Sequence, residues 1–130
     1  MQNSILIVED EKIVREGLAR ALSRTYKTYQ AANGKEAIEI ISRIREIRVI
    51  VSDLKMPEVN GLELLEYIQR ERKGVNVIFV TAFFSYESAV DAIKKGAFDY
   101  LTKPVDLRKL ETTIQNAIAG SHTTDGLTKP

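Results

Sequence analysis

Cysteine is absent from the 130 residues, and histidine occurs once, as His122. The first absence excludes disulfides, thiolate metal sites and cysteine nucleophiles, and it permits a reducing compartment. A lone histidine rules out a two-histidine metal site. Its place in a polar tail also leaves no Ser-His-Asp triad for the folded part. Long hydrophobic runs are missing too. Met1-Gln2-Asn3-Ser4 carries no cationic segment, and the apolar run behind it, Ile5 to Val8, is only four residues. Neither a signal peptide nor a membrane span is expected, and the expected location is cytoplasmic. Charge of neither sign dominates: 19 Lys+Arg against 18 Asp+Glu leave +1. Bulk charge therefore gives no grip on a polyanion, and neither direct nucleic-acid binding by this domain nor membrane contact is expected.

What is present reads as one globular domain, with 44% apolar and 28% charged residues. Short apolar runs alternate with amphipathic stretches. Ile5-Leu6-Ile7-Val8 predicts a buried strand that stops at Glu9-Asp10-Glu11. Val14, Leu18 and Leu22 then recur at helical spacing, with Lys12, Arg15, Glu16 and Arg20 turned outward. Thr28 to Ala32 is a second strand, Asn33-Gly34 a turn, and Ala37, Ile40, Ile41 and Ile44 the apolar face of a second helix. Val49-Ile50-Val51 is a third strand ending at Ser52-Asp53. Breaks at Met56-Pro57 and Asn60-Gly61 precede a helix bearing Leu62, Leu65 and Ile68. Val75 to Val80 makes a fourth strand ending at Thr81-Ala82. Ser85 N-caps a fourth helix (Ser85 to Lys95), which Gly96 closes. Phe98 to Leu101 is a fifth strand running into Thr102-Lys103-Pro104, and Asp106 N-caps a last helix (Asp106 to Ala119). The polar stretch from Gly120 to Pro130 reads as a linker or tail outside a domain of residues 1–119.

Five β-branched strands separated by five helices predict a parallel sheet covered on both faces, a doubly wound three-layer α/β sandwich. Ligands of such sheets bind beyond the carboxyl ends of the strands. Here those ends carry Glu9-Asp10, Asp53, Thr81 and Lys103, all on one edge. Taken singly, an aspartate at a strand end is a cap or turn residue, the threonine a loop hydroxyl and the lysine a solvated charge. Together they are a constellation. Three carboxylates held close repel one another unless a cation joins them, and an all-oxygen cluster of this kind suits Mg²⁺. A lysine and a hydroxyl opposite would complete a seat for a phosphoryl group. The nucleophile is then a carboxylate forming an acyl phosphate, and Asp53, ending the central strand, is placed for it.

Four segments carry a family resemblance. They are Ile5-Leu6-Ile7-Val8-Glu9-Asp10-Glu11; Asp53-Leu54-Lys55-Met56-Pro57 with Gly61; Val80-Thr81-Ala82; and Gly96 through Pro104. In this order they resemble the response-regulator receiver domain of two-component signalling, across residue 4 to about residue 119. The resemblance implies a flavodoxin-like sheet of order 2-1-3-4-5 and a switch rather than an enzyme. It implies Asp53 as phosphoacceptor and Asp10, Asp53 and the Lys55 backbone carbonyl as Mg²⁺ ligands, with Glu9 reaching the ion through water. It implies Lys103 as the partner of the phosphoryl group, aimed by a cis bond to Pro104, and Thr81 as its hydrogen-bond donor. Tyr100 stands at the position of the aromatic that swings inward when Thr81 moves. Fourth helix, fifth strand and fifth helix would form the output face, where a phosphorylation-dependent homodimer can assemble.

The implied partners are a sensor histidine kinase and a C-terminal output domain that controls transcription, as in receivers of the nitrogen-regulation class. Glu9 departs from the aspartate found in many members. Lys55 and Phe83 occupy positions that tune dephosphorylation, and Phe83 is expected to shield the acyl phosphate and slow its hydrolysis. Phe84 and Tyr86 read as packing residues, with a partner-exchanging surface as the other reading. The alternatives are a stand-alone phosphorelay receiver, an unphosphorylated interaction domain, a flavodoxin-like cofactor binder, or an Mg²⁺-dependent aspartyl phosphatase. Glu9-Asp10-Glu11 would repel a cofactor phosphate. The phosphatase needs a second aspartate two positions after the nucleophile, where Lys55 stands.

Overall fold

The computed structural model describes residues 3–56, 58–82 and 85–120. Strands and helices alternate from end to end: β1 Ser4–Val8, α1 Lys12–Leu22, β2 Lys27–Ala31, α2 Gly34–Arg43, β3 Ile47–Ser52, α3 Gly61–Glu71, β4 Asn76–Thr81, α4 Tyr86–Lys94, β5 Asp99–Thr102 and α5 Leu107–Ala119. The five strands are parallel and lie in the order β2-β1-β3-β4-β5. Composition explains who sits where. β1 is wholly buried, and β3 and β4 nearly so, whereas β2 buries only Ala31 and β5 only Leu101. The most apolar strands thus take the centre and the mixed ones the edges.

Alternation along each strand feeds two cores. Ile5, Ile7, Val49, Val51, Ile78 and Val80 pack under α1 and α5, against Leu22, Leu110 and Ile114. On the other face Leu6, Val8, Ile50, Val77 and Phe79 meet Ile41, Leu64, Leu65 and Ile68 of α2 and α3, and Ala92 of α4. Each fully buried side chain of this size contributes roughly 1.5–3 kcal/mol, so the sheet's position is firmly set.

Several boundaries move by one or two residues from those the sequence predicts. β3 starts two residues earlier, at Ile47, because Ile47 and Val49 are both buried and the exposed Arg48 lies between them. The Asn33-Gly34 pair is a helix start, not a separate turn. Asn33 Oδ1 accepts the Glu36 N–H at 2.8 Å, while Glu36 Oε1 accepts the Ala32 N–H at 2.7 Å. At the head of α3 the pair is fully reciprocal, Glu63 accepting the N–H of the cap residue Asn60 and Asn60 that of Glu63, each bond 3.0 Å. Gly61 follows because nothing larger fits. A Cβ there would lie 2.7 Å from Phe79 Cε1 and 2.8 Å from the Asp53 carbonyl oxygen. Ser85 and Asp106 cap α4 and α5 through the N–H groups of Ser88, and of Arg108 and Lys109. Gly96, with φ 109°, stands just past the end of α4.

Candidate functional site

Parallel strands deliver all their carboxyl ends to one edge, and the acidic residues follow β1 and β3, the two adjacent central strands. Glu9 leaves β1 with its N–H on the Ala31 carbonyl at 3.0 Å, and Asp53 leaves β3 with its N–H on the Val8 carbonyl at 3.0 Å. Ladder bonds therefore continue one residue past the strands and fix where both side chains start. Gly61 N–H donates to the Leu54 carbonyl at 2.9 Å and folds the following loop back beneath Asp53.

The side chains then converge. Lys103 Nζ donates to Glu9 Oε1 at 2.7 Å and to Asp53 Oδ2 at 3.0 Å. Glu9 is 3% exposed, and its other oxygen accepts the Glu11 N–H at 3.0 Å. Asp53 Oδ1 accepts the Lys55 N–H at 3.3 Å. One carboxylate oxygen each from Glu9, Asp10 and Asp53 lies within 4.8 Å of the others, with Asp10 on the solvent side. Three acids at this spacing, with all-oxygen donors and an exposed mouth, fit a hard divalent cation that keeps part of its water shell.

Lys103 reaches the acids because its backbone is held: its N–H donates to the Thr81 carbonyl at 2.9 Å, and the Lys103–Pro104 bond is cis. Thr81 closes β4 on the same edge and is fully buried. Burial alone would lower the Lys103 pKa, but bonds to Glu9 and Asp53 and their charges outweigh it, holding the ammonium above 10.5. Burial pushes the Glu9 carboxyl above its usual 4.5. Its bonds to Lys103 and to the Glu11 N–H only partly offset this. Tyr100, on β5, is half-buried against the α2–α3–α4 core, and its hydroxyl shares a hydrogen bond with Ser88 of α4. Burial first, then the Asp53 charge, raises its pKa, against that hydrogen bond.

Two expectations change. Arg15 does not turn outward: its Nη1 donates to the Glu9 carbonyl at 2.8 Å and its Nε to Gln30 Oε1 at 3.3 Å. Tyr86 is 78% exposed, so it does not pack as expected. Its neighbour Phe84, together with Phe83, Pro57, His122 and the remainder of the expected tail, lies outside the described residues. Among the described residues no helix is long and apolar enough to cross a membrane.

Comparison with known proteins adds four similarities. The family model of the response regulator receiver domain matches residues 5–115. Response regulator protein PilR of Pseudomonas aeruginosa is 40% identical over 114 residues, 87% of this chain and 25% of that protein. Regulatory protein AtoC of Escherichia coli is 38% identical over 117 residues, 89% of this chain and 25% of its own. The crystal structure of a response regulator receiver protein from Pseudomonas putida matches with TM-score 0.84 at 32% identity, covering 89% of this chain and 98% of that one. The chain spans about a quarter of the length of these two full-length relatives.

Proposed function

Because this chain belongs to the response-regulator receiver family, we propose that it is a phosphorylation-dependent switch in which Asp53 takes a phosphoryl group from a sensor histidine kinase. The observation that carries this reading is Lys103 Nζ bridging Glu9 and Asp53 at 2.7 and 3.0 Å, with Asp10 alongside. A carboxylate oxygen of Asp53 attacks the phosphorus of the phosphohistidine. The phosphorus–nitrogen bond breaks, and the histidine nitrogen leaves with the electron pair. Asp10, Asp53 and the Lys55 carbonyl would hold Mg²⁺, with Glu9 acting through water, and the ion would neutralise charge on the transferring group. Lys103 then exchanges Asp53 Oδ2 for a phosphoryl oxygen, and Thr81 supplies a hydroxyl to another.

Phosphorylation replaces the single charge of the Asp53 carboxylate by a phosphoryl group that carries nearly two. Thr81 moves toward them, and Tyr100 gives up Ser88 and turns inward, changing the surface formed by α4, β5 and α5. That surface would carry homodimerisation and hand the signal to a transcriptional output domain in the cytoplasm, a reading supported by relatives named as transcriptional regulators. The aspartyl-phosphatase reading lacks its second aspartate at Lys55. The test is intact mass after incubation with Mg²⁺ and a small acyl-phosphate donor. One phosphoryl group should be gained by the wild type and none by Asp53→Asn; equal gain by both would refute the assignment.

A further inference from the structure

A second cation reaches the acidic turn from the side opposite Lys103. Arg15 Nη1 donates to the Glu9 carbonyl oxygen at 2.8 Å, and its Nε reaches Gln30 Oε1 at 3.3 Å. Gln30 precedes Ala31, whose carbonyl accepts the Glu9 N–H at 3.0 Å. Both main-chain polar groups of Glu9 are therefore fastened toward β2, one directly and one through the guanidinium of α1. The Glu9 side chain is held separately, by Lys103 and by the Glu11 N–H.

These two cations differ in what else they must do. Lys103 also holds Asp53, and in the switch described above it turns to the phosphoryl group. Arg15 bonds a main-chain carbonyl and an uncharged amide, neither of which takes part in the chemistry. Three consecutive acids, Glu9-Asp10-Glu11, repel one another and Asp53. When Lys103 shifts from Asp53 to the phosphoryl group, the Glu9 main chain stays fastened through Arg15 and Ala31. We infer that Arg15 is a positioning residue for the divalent-cation site: it anchors the Glu9–Asp10 turn so that the Asp10 carboxylate stays beside Asp53 whatever Lys103 is doing. This deepens the phosphoswitch reading and rests on it.

Simple electrostatics gives the opposite sign, which makes the inference testable. A cation beside a cation site repels the ion, so a guanidinium acting through charge alone would weaken Mg²⁺ binding, and its removal would tighten it. A guanidinium that positions a ligand has the reverse effect. Removing a group that orients a metal ligand typically weakens binding 10- to 100-fold.

The experiment is a Mg²⁺ titration of the wild type, Arg15→Ala, Arg15→Lys and Gln30→Ala. It is followed by amide chemical shifts around Asp10 and Asp53, with thermal melting in EDTA measured in parallel. Arg15→Ala should raise the Kd for Mg²⁺ roughly 10-fold. Arg15→Lys should raise it less, because an ammonium keeps the charge but cannot span Glu9 and Gln30 together. Gln30→Ala should have the smallest effect. At saturating Mg²⁺, phosphorylation of each variant should return to near the wild-type rate, a recovery that a generally loosened fold would not show. Unchanged or tighter Mg²⁺ binding by Arg15→Ala overturns the inference. If that variant melts below the titration temperature, wild-type affinity in both Arg15→Lys and Gln30→Ala overturns it instead. A wild type that fails to bind millimolar Mg²⁺ would sink the phosphoswitch reading itself, a different result from a variant series without effect.

Discussion

Lys103 and Glu9 form a pair in which burial and pairing pull in different directions, and their titration should expose that. Since burial dominates at Glu9, the folded state holds its proton more tightly than the unfolded chain does. The corresponding stability is fully present below about pH 4.5 and is lost as pH rises through the raised folded value. In metal-free protein, the wild-type stability minus that of Glu9→Gln should therefore fall as pH rises above about 4.5. Urea denaturation at several pH values measures this, and a difference that grows with pH would mean that Lys103 pairing outweighs burial. Lys103→Met removes the side-chain ammonium that touches both Glu9 and Asp53, at 2.7 and 3.0 Å. It should lower metal-free stability by roughly 1–3 kcal/mol, the usual cost of breaking a charge-assisted bond. It should also tighten Mg²⁺ binding, because a competing cation has gone. Melting in EDTA and Mg²⁺ titration read the two effects separately.

At the level of elements, the β3–α3 connection does most to place Asp53. Its Asn60–Glu63 box begins α3, and Gly61 lets that helix start against the strand. Asn60→Ala removes the cap and should cost about 1 kcal/mol. Gly61→Ala is more severe, because its Cβ would lie within 2.7–2.9 Å of Phe79, the Asp53 carbonyl and the Leu54 Cα. Overpacking of this kind typically costs about 1–3 kcal/mol. Since the displaced atoms include the Asp53 backbone, phosphorylation should slow even well below the melting temperature. If Gly61→Ala is destabilised but phosphorylated at the wild-type rate, the loop does not position Asp53. The same connection shows the limits of pattern reading. Asn33-Gly34 reads as a turn, yet it begins α2 as Asn60-Gly61 begins α3, because the local signal for a turn and for a cap is the same.

Across the whole molecule, the site edge and the α4–β5–α5 surface are linked through β4 and β5: the Lys103 N–H bonds the Thr81 carbonyl, and Tyr100 bonds Ser88. Phosphorylation should therefore shift amide resonances of α4, β5 and α5 far more than those of α2, which packs beside β1 and β2 at the end of the sheet away from β5. Changes of equal size on α2 would argue against a directed relay. Ser88→Ala should make part of the same change without phosphate, because it removes one contact that holds Tyr100 to α4. The 78%-exposed Tyr86 and 46%-exposed Ile93 on α4 belong to the surface this relay would alter.

The order of elements, the parallel sheet and the edge that gathers Glu9, Asp10, Asp53, Thr81 and Lys103 were all legible in the chain. Apolar periodicity and strand-end position are local properties, and a parallel sheet turns them into proximity. The β2 and β5 edges were harder to delimit, since half-exposed strands carry a weaker apolar signal. Only the folded structure showed Glu9 committed to Lys103 and Arg15 turned back onto the Glu9 carbonyl. Those choices depend on which side chain reaches a particular oxygen across elements distant in sequence, and residue spacing carries no information about that.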